Sequence, residues 1–511
     1  MPSSTVPPTV NARADDLTLT SPMLLPASGE QLLLCLTIVW HPDLSRIGDQ
    51  AIMVQTTIDL SRLQPVFSSP EKNGTGLDYA GISREAIRIA RDKEGVLLAV
   101  PTSRMVVESN GQEIQGQQYL SHEQITAGVI LGLGRAVLIC LHWLSVLPKR
   151  NAVVGLIGVG SAAMRTRDLI HQVAKTETAV LLLGETGTGK EVAARAIHSL
   201  SKRADRPLVS VNMAALNESL AAADLFGAGK GAYTGATEKR SGFFQDAQDA
   251  TLFLDEVGNA PVAIQPMLLR VLETGDYRPL GASRDLQSNA RIIAATDQDL
   301  YDGGFNPALL RRLESFVIHL PPLRHRREDI GLLIVHIMRS AAFADFAQCN
   351  LPYRLVSEFA TYDWPGNIRQ LRHLLKRVLL GIAAGEIPAF ASLVDDAPPQ
   401  RITQSAESNN KTSERAPRKK LSALSEDDVV TAMENNDWYI QQAAQELGIS
   451  RPSMYKLLES NSHIRHIEEI PKKEIQEAWQ VSKKNIETCA SVLKTPADAL
   501  KRHLRELGVE A

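Results

Sequence analysis

Eight consecutive residues have the composition of a loop that binds phosphate groups. They are Gly184, Glu185, Thr186, Gly187, Thr188, Gly189, Lys190 and Glu191. Glycines allow backbone N–H groups to turn toward a phosphate, and a lysine at this spacing reaches the outer phosphates of a nucleotide. The Ser or Thr that usually follows the lysine and binds Mg²⁺ is replaced by Glu191. The sequence therefore predicts a nucleotide site whose metal ligand lies elsewhere in the chain.

Two adjacent carboxylates, Asp255 and Glu256, follow an apolar run and are candidates for metal binding and catalysis. Nucleotide hydrolysis needs a magnesium ligand, a base for the attacking water and positive charge near the transition state. Asp255 is the natural Mg²⁺ ligand, directly or through water, and Glu256 is the natural base. Thr296 ends a later apolar run and is a candidate for contact with the γ-phosphate or the water. Arg312 and Arg369 are candidates for the positive charge.

Apolar runs that alternate with helical patterns surround these residues. Strands are expected at 179–183, 207–212, 251–256, 290–296 and 316–320. Such alternation predicts a parallel sheet with helices on both faces and ligands at the carboxyl ends of its strands. A helical lid is expected from Glu328 to about Ile382, interrupted by the sequence Trp-Pro-Gly-Asn at 364–367.

The N-terminal part of the chain has a different pattern. Residues 1–29 are rich in Ser, Thr and Pro, and are expected to form a disordered lead-in and not a signal peptide. Short alternating segments with turn residues between them predict a β-sandwich over 30–148. Asn110-Gly111 is a strong hairpin signal, because both residue types tolerate a positive φ.

The composition of the whole chain indicates several globular domains. A length of 511 residues predicts about three, and the net charge of −3 gives no overall attraction for nucleic acid. The apolar stretch 128–147 contains Arg135, His142 and two glycines, so we expect strands there and no membrane span. Four widely spaced cysteines predict a reducing, cytoplasmic location and no structural metal site.

The chain after the predicted linker 395–420 is helical and repeats itself. When 421–511 is shifted by 46 positions, its apolar positions coincide, as Val429 does with Ile475 and Leu447 with Leu493. The first copy reads as helix, glycine turn and helix, which is the signature of a helix-turn-helix. The second copy has Lys494 at the position of the turn glycine. The sequence predicts an all-α region of two tandem helix-turn-helix units.

The second helix of each copy carries the candidate contacts to double-stranded DNA. These are Arg451, Ser453 and Lys456 in the first copy and Lys501, Arg502 and Arg505 in the second. We expect the first copy to read bases and the second to supply much of the phosphate contact. The alternative is that the second copy is a dimerisation unit with a solvated basic face.

Within the central domain, predicted at 152–394, residues 152–385 resemble the AAA+ domain of bacterial enhancer-binding proteins, the ATPases that activate sigma-54 RNA polymerase. The resemblance rests on the phosphate loop, including Glu191, and on Asp255-Glu256, which matches the Walker B motif. It also rests on a stretch similar to the family's surface loop that engages sigma-54, with Tyr in place of Phe. That stretch is Gly231, Ala232, Tyr233, Thr234, Gly235 and Ala236.

The same resemblance implies further roles. Asn212 matches the switch asparagine that restrains the catalytic glutamate, and Thr296 matches sensor I, although Asp297 replaces the usual Asn. Arg369 matches sensor II. Arg312 matches one of two arginine fingers that act on a neighbouring subunit, and the other finger falls on Asn306. ATP and Mg²⁺ are the implied cofactors.

The N-terminal region resembles a degenerate forkhead-associated domain, a β-sandwich whose loops bind phosphothreonine. The residues that carry the resemblance are, in order, Arg46-Ile47-Gly48, Ser83-Arg84 and Asn110-Gly111. The family's Gly-Arg pair is Gly48-Asp49 here, and the His expected after Ser-Arg-x is Ala86. The alternative is a β domain that only docks against its neighbours.

Together these features predict a multidomain protein with an N-terminal β-sandwich, a central α/β AAA+ ATPase with a helical lid, and a C-terminal tandem helix-turn-helix. The resemblances imply a sigma-54-dependent transcriptional activator. Its expected partners are the sigma-54 RNA polymerase holoenzyme, double-stranded DNA and copies of itself in a hexameric ring. Two alternatives are a regulator of sigma-70-type promoters that keeps the ATPase fold for assembly, and a phosphopeptide-binding adaptor.

Overall fold

The computed structural model of the chain divides into two compact units, 1–405 and 406–511. The residues that it describes are 32–102, 104–232, 238, 240–301, 304–346 and 349–395, and, within 426–504, all except 437, 441–442, 444–446, 448–453, 455–456, 459–460, 462, 466–469, 483–485, 497–499 and 501–502. The predicted lead-in 1–29 and the predicted linker beyond Asp395 lie outside them.

The N-terminal part of the first unit is rich in antiparallel sheet. Its elements are β1 Leu33–Trp40, β2 Gln50–Met53, β3 Thr57–Leu60, β4 Phe67–Ser69, β5 Lys72–Thr75, β6 Ile87–Arg91, β7 Gly95–Val100, β8 Val107–Ser109, β9 Gln112–Glu113, β10 Gly116–Ser121, α1 His122–Ala127, β11 Val129–Leu133 and β12 Val137–Leu144. The larger sheet has the order β5-β4-β2-β1-β12-β11-β8-β9 and the smaller sheet β10-β7-β6-β3. One apolar core contains residues of both sheets.

The central strands of the larger sheet are buried on both faces. Leu34, Leu36 and Ile38 of β1 lie in the core shared with the smaller sheet, whereas Val39 lies in a different apolar cluster. Side chains alternate between the faces of a strand, so a strand that is apolar at consecutive positions must be covered on both sides. At Val39 the second cover comes from the helical lid described below.

Two sequence interpretations of this region are confirmed. Asn110 and Gly111 have φ values of 48° and 78° and connect the paired strands β8 and β9. The apolar stretch 128–147 forms the antiparallel pair β11 and β12, with Gly134 and Arg135 in the turn. Among the described residues, no helix has the length and apolar character needed to cross a membrane.

The central part of the first unit is an α/β layer. Its elements are α2 Ser161–Ala174, β13 Val180–Leu183, α3 Lys190–Ser199, β14 Leu208–Asn212, α4 Ala221–Phe226, α5 Phe243–Asp246, β15 Thr251–Asp255, α6 Gln265–Thr274, β16 Asp276–Tyr277, β17 Leu286–Gln287, β18 Arg291–Thr296, α7 Pro307–Leu313 and β19 Val317–His319. The predicted parallel sheet is confirmed, with the order β14-β15-β18-β13-β19. Separate apolar cores lie on its two faces.

The helical lid follows the last strand of this sheet. Its helices are α8 Ile330–Met338, α9 Tyr353–Thr361, α10 Asn367–Ala383 and α11 Phe390–Asp395. The interruption predicted at 364–367 is confirmed, because Trp364 and Asn367 have positive φ values of 51° and 52° between α9 and α10. This turn brings the start of α10 to the phosphate loop.

The second unit is helical in its described residues. Its helices are α12 Glu426–Asn435, α13 Lys472–Val481 and α14 Ile486–Leu493. The bounds of α13 are those of α12 shifted by 46 positions, and one apolar core contains residues of both copies, including Val429, Ile475 and Leu493. Lys494 has a φ of 48°, a conformation that favours the glycine it replaces. The six predicted DNA contacts, Arg451, Ser453, Lys456, Lys501, Arg502 and Arg505, lie outside the described residues.

Candidate nucleotide site

The phosphate loop joins the carboxyl end of β13 to the amino end of α3. Gly187 and Gly189 have φ values of 84° and 106°, which L-residues with a side chain rarely adopt. At Gly187, a Cβ would also lie only 2.5 Å from the carbonyl oxygen of Gly366 in the lid. The loop therefore ends in backbone N–H groups at a helix N-terminus, which is the geometry that binds anions.

Lys190 lies at the start of α3 and its side chain is buried against the loop. Its ammonium donates to the carbonyl oxygens of Gly184 and Glu185, at 2.7 and 3.4 Å. Burial lowers the pKa of Lys190, while the nearby carboxylates of Glu256, Asp297 and Asp255 oppose that effect. The lysine thus stands between the phosphate loop and a group of acidic side chains.

Asp255 and Glu256 lie at the carboxyl end of β15, beside the phosphate loop. Burial raises the pKa of Asp255, and the charge of Lys190 acts in the opposite direction. Burial and the neighbouring Asp297 carboxyl raise the pKa of Glu256 to about 7. A half-buried carboxylate with a raised pKa next to a phosphate loop is suited to accept a proton from water.

Asp297 connects the phosphate loop to Glu256. Its carboxylate accepts a hydrogen bond of 2.5 Å from the hydroxyl of Thr186, and its charge contributes to the raised pKa of Glu256. From the sequence, Asp297 was only a departure from the usual Asn. Thr296, the predicted sensor, has a fully buried side chain whose hydroxyl accepts from the backbone N–H of Gln298 at 3.1 Å. Its contact with the γ-phosphate stays a prediction.

The lid is fastened to the phosphate loop through Glu185. The guanidinium of Arg324 donates twice to the Glu185 carboxylate, at 2.9 and 2.6 Å, and the amide of Asn367 donates at 3.0 Å. Burial would raise the pKa of Glu185, but these two partners outweigh it and hold the pKa below its usual range. Ile368 N–H also donates to the carbonyl oxygen of Gly187 at 3.0 Å. We call the contacts between Arg324, Glu185 and Asn367 the lid bracket. Sequence reasoning did not identify it.

Two further predicted ligands lie at the rim of the site. Arg369, on the first turn of α10, has an exposed side chain, and a Cβ on Gly187 would lie 3.1 Å from the Cβ of Arg369, so this residue adjoins the phosphate loop. Glu191 is exposed and forms an ion pair of 2.7 Å with Arg195 on the same helix. Arg369 therefore lies at the nucleotide site, whereas the side chain of Glu191 is paired with Arg195 on the surface of α3.

The predicted finger Arg312 lies away from the phosphate loop of its own chain. It pairs with Glu273 at 3.5 Å and lines a surface cleft with Thr178 and Ala290, which precede β13 and β18. That cleft is at the amino end of the strands, whereas Lys190 is at their carboxyl end. Asn306, at the other finger position, caps α7 by accepting from the backbone N–H groups of Ala308 and Leu309.

The predicted switch residue Asn212 ends β14, directly across from Asp255 in the parallel ladder. Its side-chain oxygen accepts from the backbone N–H of Ala214 at 2.9 Å. This contact fixes the turn that follows the strand, and the restraint of Glu256 by Asn212 stays a prediction.

The segment predicted to engage sigma-54 lies between α4 and α5. Gly231 and Ala232 are described, whereas Tyr233, Thr234, Gly235 and Ala236 lie outside the described residues. The base of the segment is fixed, because the backbone of Ala228 forms bridges to Arg240 and Leu280, and Arg240 pairs with Asp224 at 2.8 Å.

Family models match the region that carries this site and part of the second unit. Residues 156–319 match the Sigma-54 interaction domain, residues 324–413 the AAA+ ATPase lid domain, and residues 429–459 the Bacterial regulatory protein, Fis family. The Transcriptional regulatory protein ZraR of Salmonella typhimurium is 37% identical over 321 residues, which cover 60% of this chain and 69% of ZraR. The chain belongs to the family of sigma-54 interaction domain regulators.

Other proteins of known name are similar over a smaller share of their length. The DNA-binding transcriptional activator HyfR of Escherichia coli is 45% identical over 247 residues, which cover 47% of this chain and 37% of HyfR. NtrX from Brucella abortus, in a crystal structure with ATP, is 27% identical with a TM-score of 0.43, covering 61% of this chain and 70% of NtrX. The chain spans less than half of HyfR and of the regulator NorR of Vibrio vulnificus, where the matched share is 46%.

The three family matches cover the nucleotide site, the lid and the first helical copy, but not the N-terminal sheets. The phosphate loop, Asp255, Glu256 and Arg312 lie in the range of the sigma-54 interaction domain, and the lid partners Arg324, Asn367 and Arg369 lie in the range of the lid domain. The N-terminal sheets, residues 33–144, lie outside all three matched ranges.

Proposed function

We propose that this chain is a sigma-54-dependent transcriptional activator that hydrolyses ATP to remodel the closed promoter complex of RNA polymerase. The observation that carries the proposal is the assembly of Lys190, Asp255, Glu256 and Asp297 beside one phosphate loop, within a region that matches the sigma-54 interaction domain. A phosphate cradle next to a carboxylate with a raised pKa supports nucleotide hydrolysis.

Each group of this site has a proposed role in hydrolysis. The loop and Lys190 hold the phosphates, Glu256 accepts the proton of the attacking water, and Arg369 adds positive charge from the lid. Carboxylate oxygen is the ligand that Mg²⁺ prefers, and the half-buried Asp255 carboxylate at the strand end fits that need. When bound, Mg²⁺ would neutralise charge on the phosphates. The negative charge of Asp297 raises the proton affinity of Glu256, and its carboxylate orients Thr186 of the loop.

We propose that the active form is a homo-oligomeric ring, a hexamer, with ATP sites between subunits. The support is the position of Arg312, which lies near the amino end of the sheet in its own chain and so cannot meet its own phosphate loop. In a ring, Arg312 of one subunit supplies positive charge to the ATP of the next. Only one of the two finger positions of the family carries an arginine. The other position is Asn306, whose side chain caps α7.

The segment 231–236 is proposed to contact sigma-54 during remodelling. Replacing Thr234 by alanine is expected to leave ATP hydrolysis within about twofold of the unmodified protein and to abolish promoter opening, because the loop contacts the polymerase and takes no part in the chemistry. Both quantities are measured with the purified protein, as phosphate release and as open-complex formation with sigma-54 holoenzyme. Thr237→Ala, in the same loop but outside the motif, is the control and should preserve both.

Open-complex formation that survives Thr234→Ala would favour the alternative function. In that alternative the ATPase fold serves only to assemble a DNA-binding regulator that acts at sigma-70-type promoters. The retained Lys190 and Glu256 favour the first function, because an assembly that only binds nucleotide does not require a base for water.

The second unit is proposed to bind upstream double-stranded DNA. The match of residues 429–459 to the Fis family supports a DNA-reading role for the first copy, through Arg451, Ser453 and Lys456. We propose that Lys501, Arg502 and Arg505 of the second copy contact phosphates beside it. A second copy that serves dimerisation remains the alternative, and the single apolar core formed by both copies is compatible with either.

The N-terminal sheets are proposed to form a forkhead-associated-type sandwich. Gly48 and the Asn110-Gly111 turn have the positive φ values that such loops require. Phosphopeptide binding has weaker support, because Arg46 is engaged by Asp49 at 2.8 Å, the residue that replaces the family's arginine. The proposed domains are residues 30–148, 152–394 and 421–511, and the linker 395–420 joins the last two. The proposed location of the protein is the cytoplasm.

A further inference from the structure

Helix α8 of the lid is apolar around most of its circumference. Its sequence is Ile-Gly-Leu-Leu-Ile-Val-His-Ile-Met, and among its residues only His336 is exposed. A helix with apolar residues on all sides is stable in water only when neighbours cover every side. The lid helices α9 and α10 pack on one side of α8 and share its apolar cluster. The opposite side needs a separate cover.

The N-terminal sheet supplies that cover. Val39 and Ile47 lie in the same apolar cluster as Ile330 and Leu333 of the lid, together with Trp40, Ile130, Leu138 and Cys140. The sheet and the lid therefore share one hydrophobic core, although about 290 residues separate β1 from α8 in the chain. This core contains Val39, Leu138 and Cys140 from the second face of β1 and β12, whereas Cys35 and Leu144 of that face form a separate cluster with Met164 of α2.

Two glycines set the close approach, one from each side. A Cβ on Gly331 of α8 would lie 1.7 Å from the carbonyl oxygen of Val39 and 3.0 Å from a methyl group of Ile47. A Cβ on Gly48, after the first strand, would lie 2.9 Å from a methyl group of Leu332. No side chain fits at Gly331 unless the sheet and the helix move apart.

Polar contacts fix the edges of the same interface. The hydroxyl of Tyr353, on α9, donates to the Glu108 carboxylate of the sheet at 2.8 Å. On the other edge, the buried Asp329 accepts from the backbone N–H groups of Val159 and Gly160 at 2.7 and 3.0 Å, and Gln50 donates to the Val159 carbonyl at 3.3 Å. The segment that connects the sheet to α2 is thus held by the residue before α8.

The residues that begin the lid connect this interface to the nucleotide site. Leu323 and Ile330 lie in the shared core, and Arg324 between them donates to Glu185 of the phosphate loop. Arg326, which is buried, donates to the carbonyl oxygen of Thr188 at 3.3 Å. The eight-residue segment 323–330 therefore has both ends in the core shared with the N-terminal sheet, while Arg324 and Arg326 within it contact the phosphate loop.

We propose that the N-terminal sheet is an integral part of the lid, and that its docking on α8 positions the lid bracket at the nucleotide site. The inference rests on the proposed function only in that the site binds ATP. It makes the sheet a required partner of the ATPase domain within the same chain, and not a module that can be removed without loss.

The decisive variant is Gly331→Ala in the full chain. Alanine is the better helix former, so this change would stabilise an uncovered helix. In the docked arrangement it must instead separate α8 from β1. We expect faster amide hydrogen exchange in β1, β12 and α8, and ATP affinity weakened at least fivefold, the lower end of the ~5–150-fold range typical of coupled sites. Gly381→Ala on α10 is the matched control, since its Cβ would meet nothing closer than 3.1 Å.

The route of the effect is tested by a double-mutant cycle with Arg324→Ala. If docking acts through the lid bracket, Gly331→Ala should change ATP affinity less than about twofold further once Arg324 has been removed, because the two changes then break the same path. Should Gly331→Ala fail to fold, Leu332→Ala removes the contact with Gly48 without adding an atom, and the same readouts apply with smaller changes in the same direction.

Three results would overturn the inference. The first is an unchanged ATP affinity in Gly331→Ala although hydrogen exchange shows that the sheet is released from α8. The second is that hydrogen exchange and ATP affinity in Gly331→Ala both match the Gly381→Ala control. The third is that the losses of ATP affinity caused by Gly331→Ala and Arg324→Ala simply add. Failure of the unmodified protein to bind ATP at all would instead contradict the proposed function, so the two failures are distinguishable.

Discussion

Replacing Glu256 by glutamine is expected to abolish ATP hydrolysis while leaving ATP binding nearly unchanged. Glutamine keeps the shape of the side chain but cannot accept a proton from water, and a general base contributes about 10²–10⁴ in rate. The phosphate loop, Lys190 and Asp255 stay intact, so the nucleotide is still held. The expected result is a rate loss of at least about 10² in phosphate release, with an ATP dissociation constant within about threefold of the original.

The matched control for this change is Glu218→Gln, at an exposed position in the turn before α4. It should preserve both rate and affinity. Normal turnover in the Glu256 variant would contradict the assignment of the base and direct attention to Asp297, the carboxylate whose charge acts on Glu256.

Replacing Arg312 by alanine is expected to reduce ATP hydrolysis by about 10³-fold, the lower end of what an arginine finger contributes. The effect should be large because Asn306 occupies the other finger position, which leaves Arg312 as the main source of charge from the neighbouring subunit. The measurement is phosphate release at a protein concentration where size-exclusion chromatography shows assembled rings. Arg311→Ala, an exposed neighbour on the same helix, is the control.

Mixing two inactive variants tests whether Arg312 acts on the ATP of a neighbouring subunit. Subunits with Arg312→Ala keep Lys190, and subunits with Lys190→Ala keep Arg312, so an equal mixture contains some interfaces with both groups intact. The mixture should therefore hydrolyse ATP faster than either variant alone. A mixture no more active than its components would place Arg312 outside the site, and a large loss in the Arg311 variant would assign the finger role to that residue.

Local sequence patterns predicted the parts of the site that depend on consecutive residues. The phosphate loop, Asp255 and the turn at Trp364 were visible because glycine spacing, an apolar run and a proline each determine backbone conformation within a few residues. The parallel sheet followed from the alternation of strands and helices, whereas the order of its strands came from the structure. The structure confirms these elements within a few residues of their expected bounds.

Contacts between distant residues were not predictable in the same way. Thr186 and Asp297 are 111 positions apart, and Arg324 and Glu185 are 139 apart. A local pattern shows that Asp297 departs from the usual residue but not which hydroxyl it meets. No local pattern in β1 indicates its partner, and only the structure shows that Val39 lies in one apolar cluster with residues of α8.

The C-terminal repeat is an intermediate case. A shift of 46 positions was visible in the sequence, and the matching bounds of α12 and α13 agree with it. The repeat predicts which positions are apolar in each copy. That both copies enclose one core, and do not fold around separate ones, required the three-dimensional contacts.

We propose that this chain uses ATP to open promoters that sigma-54 holoenzyme alone leaves closed. The most direct measurement is strand opening on a supercoiled sigma-54 promoter, with purified full-length protein and either ATP or a non-hydrolysable analogue. We expect opening that requires both the protein and hydrolysable ATP, and none on a sigma-70 promoter with its own holoenzyme. Hydrolysis without opening on sigma-54 templates, or stimulation at the sigma-70 promoter, would contradict the account.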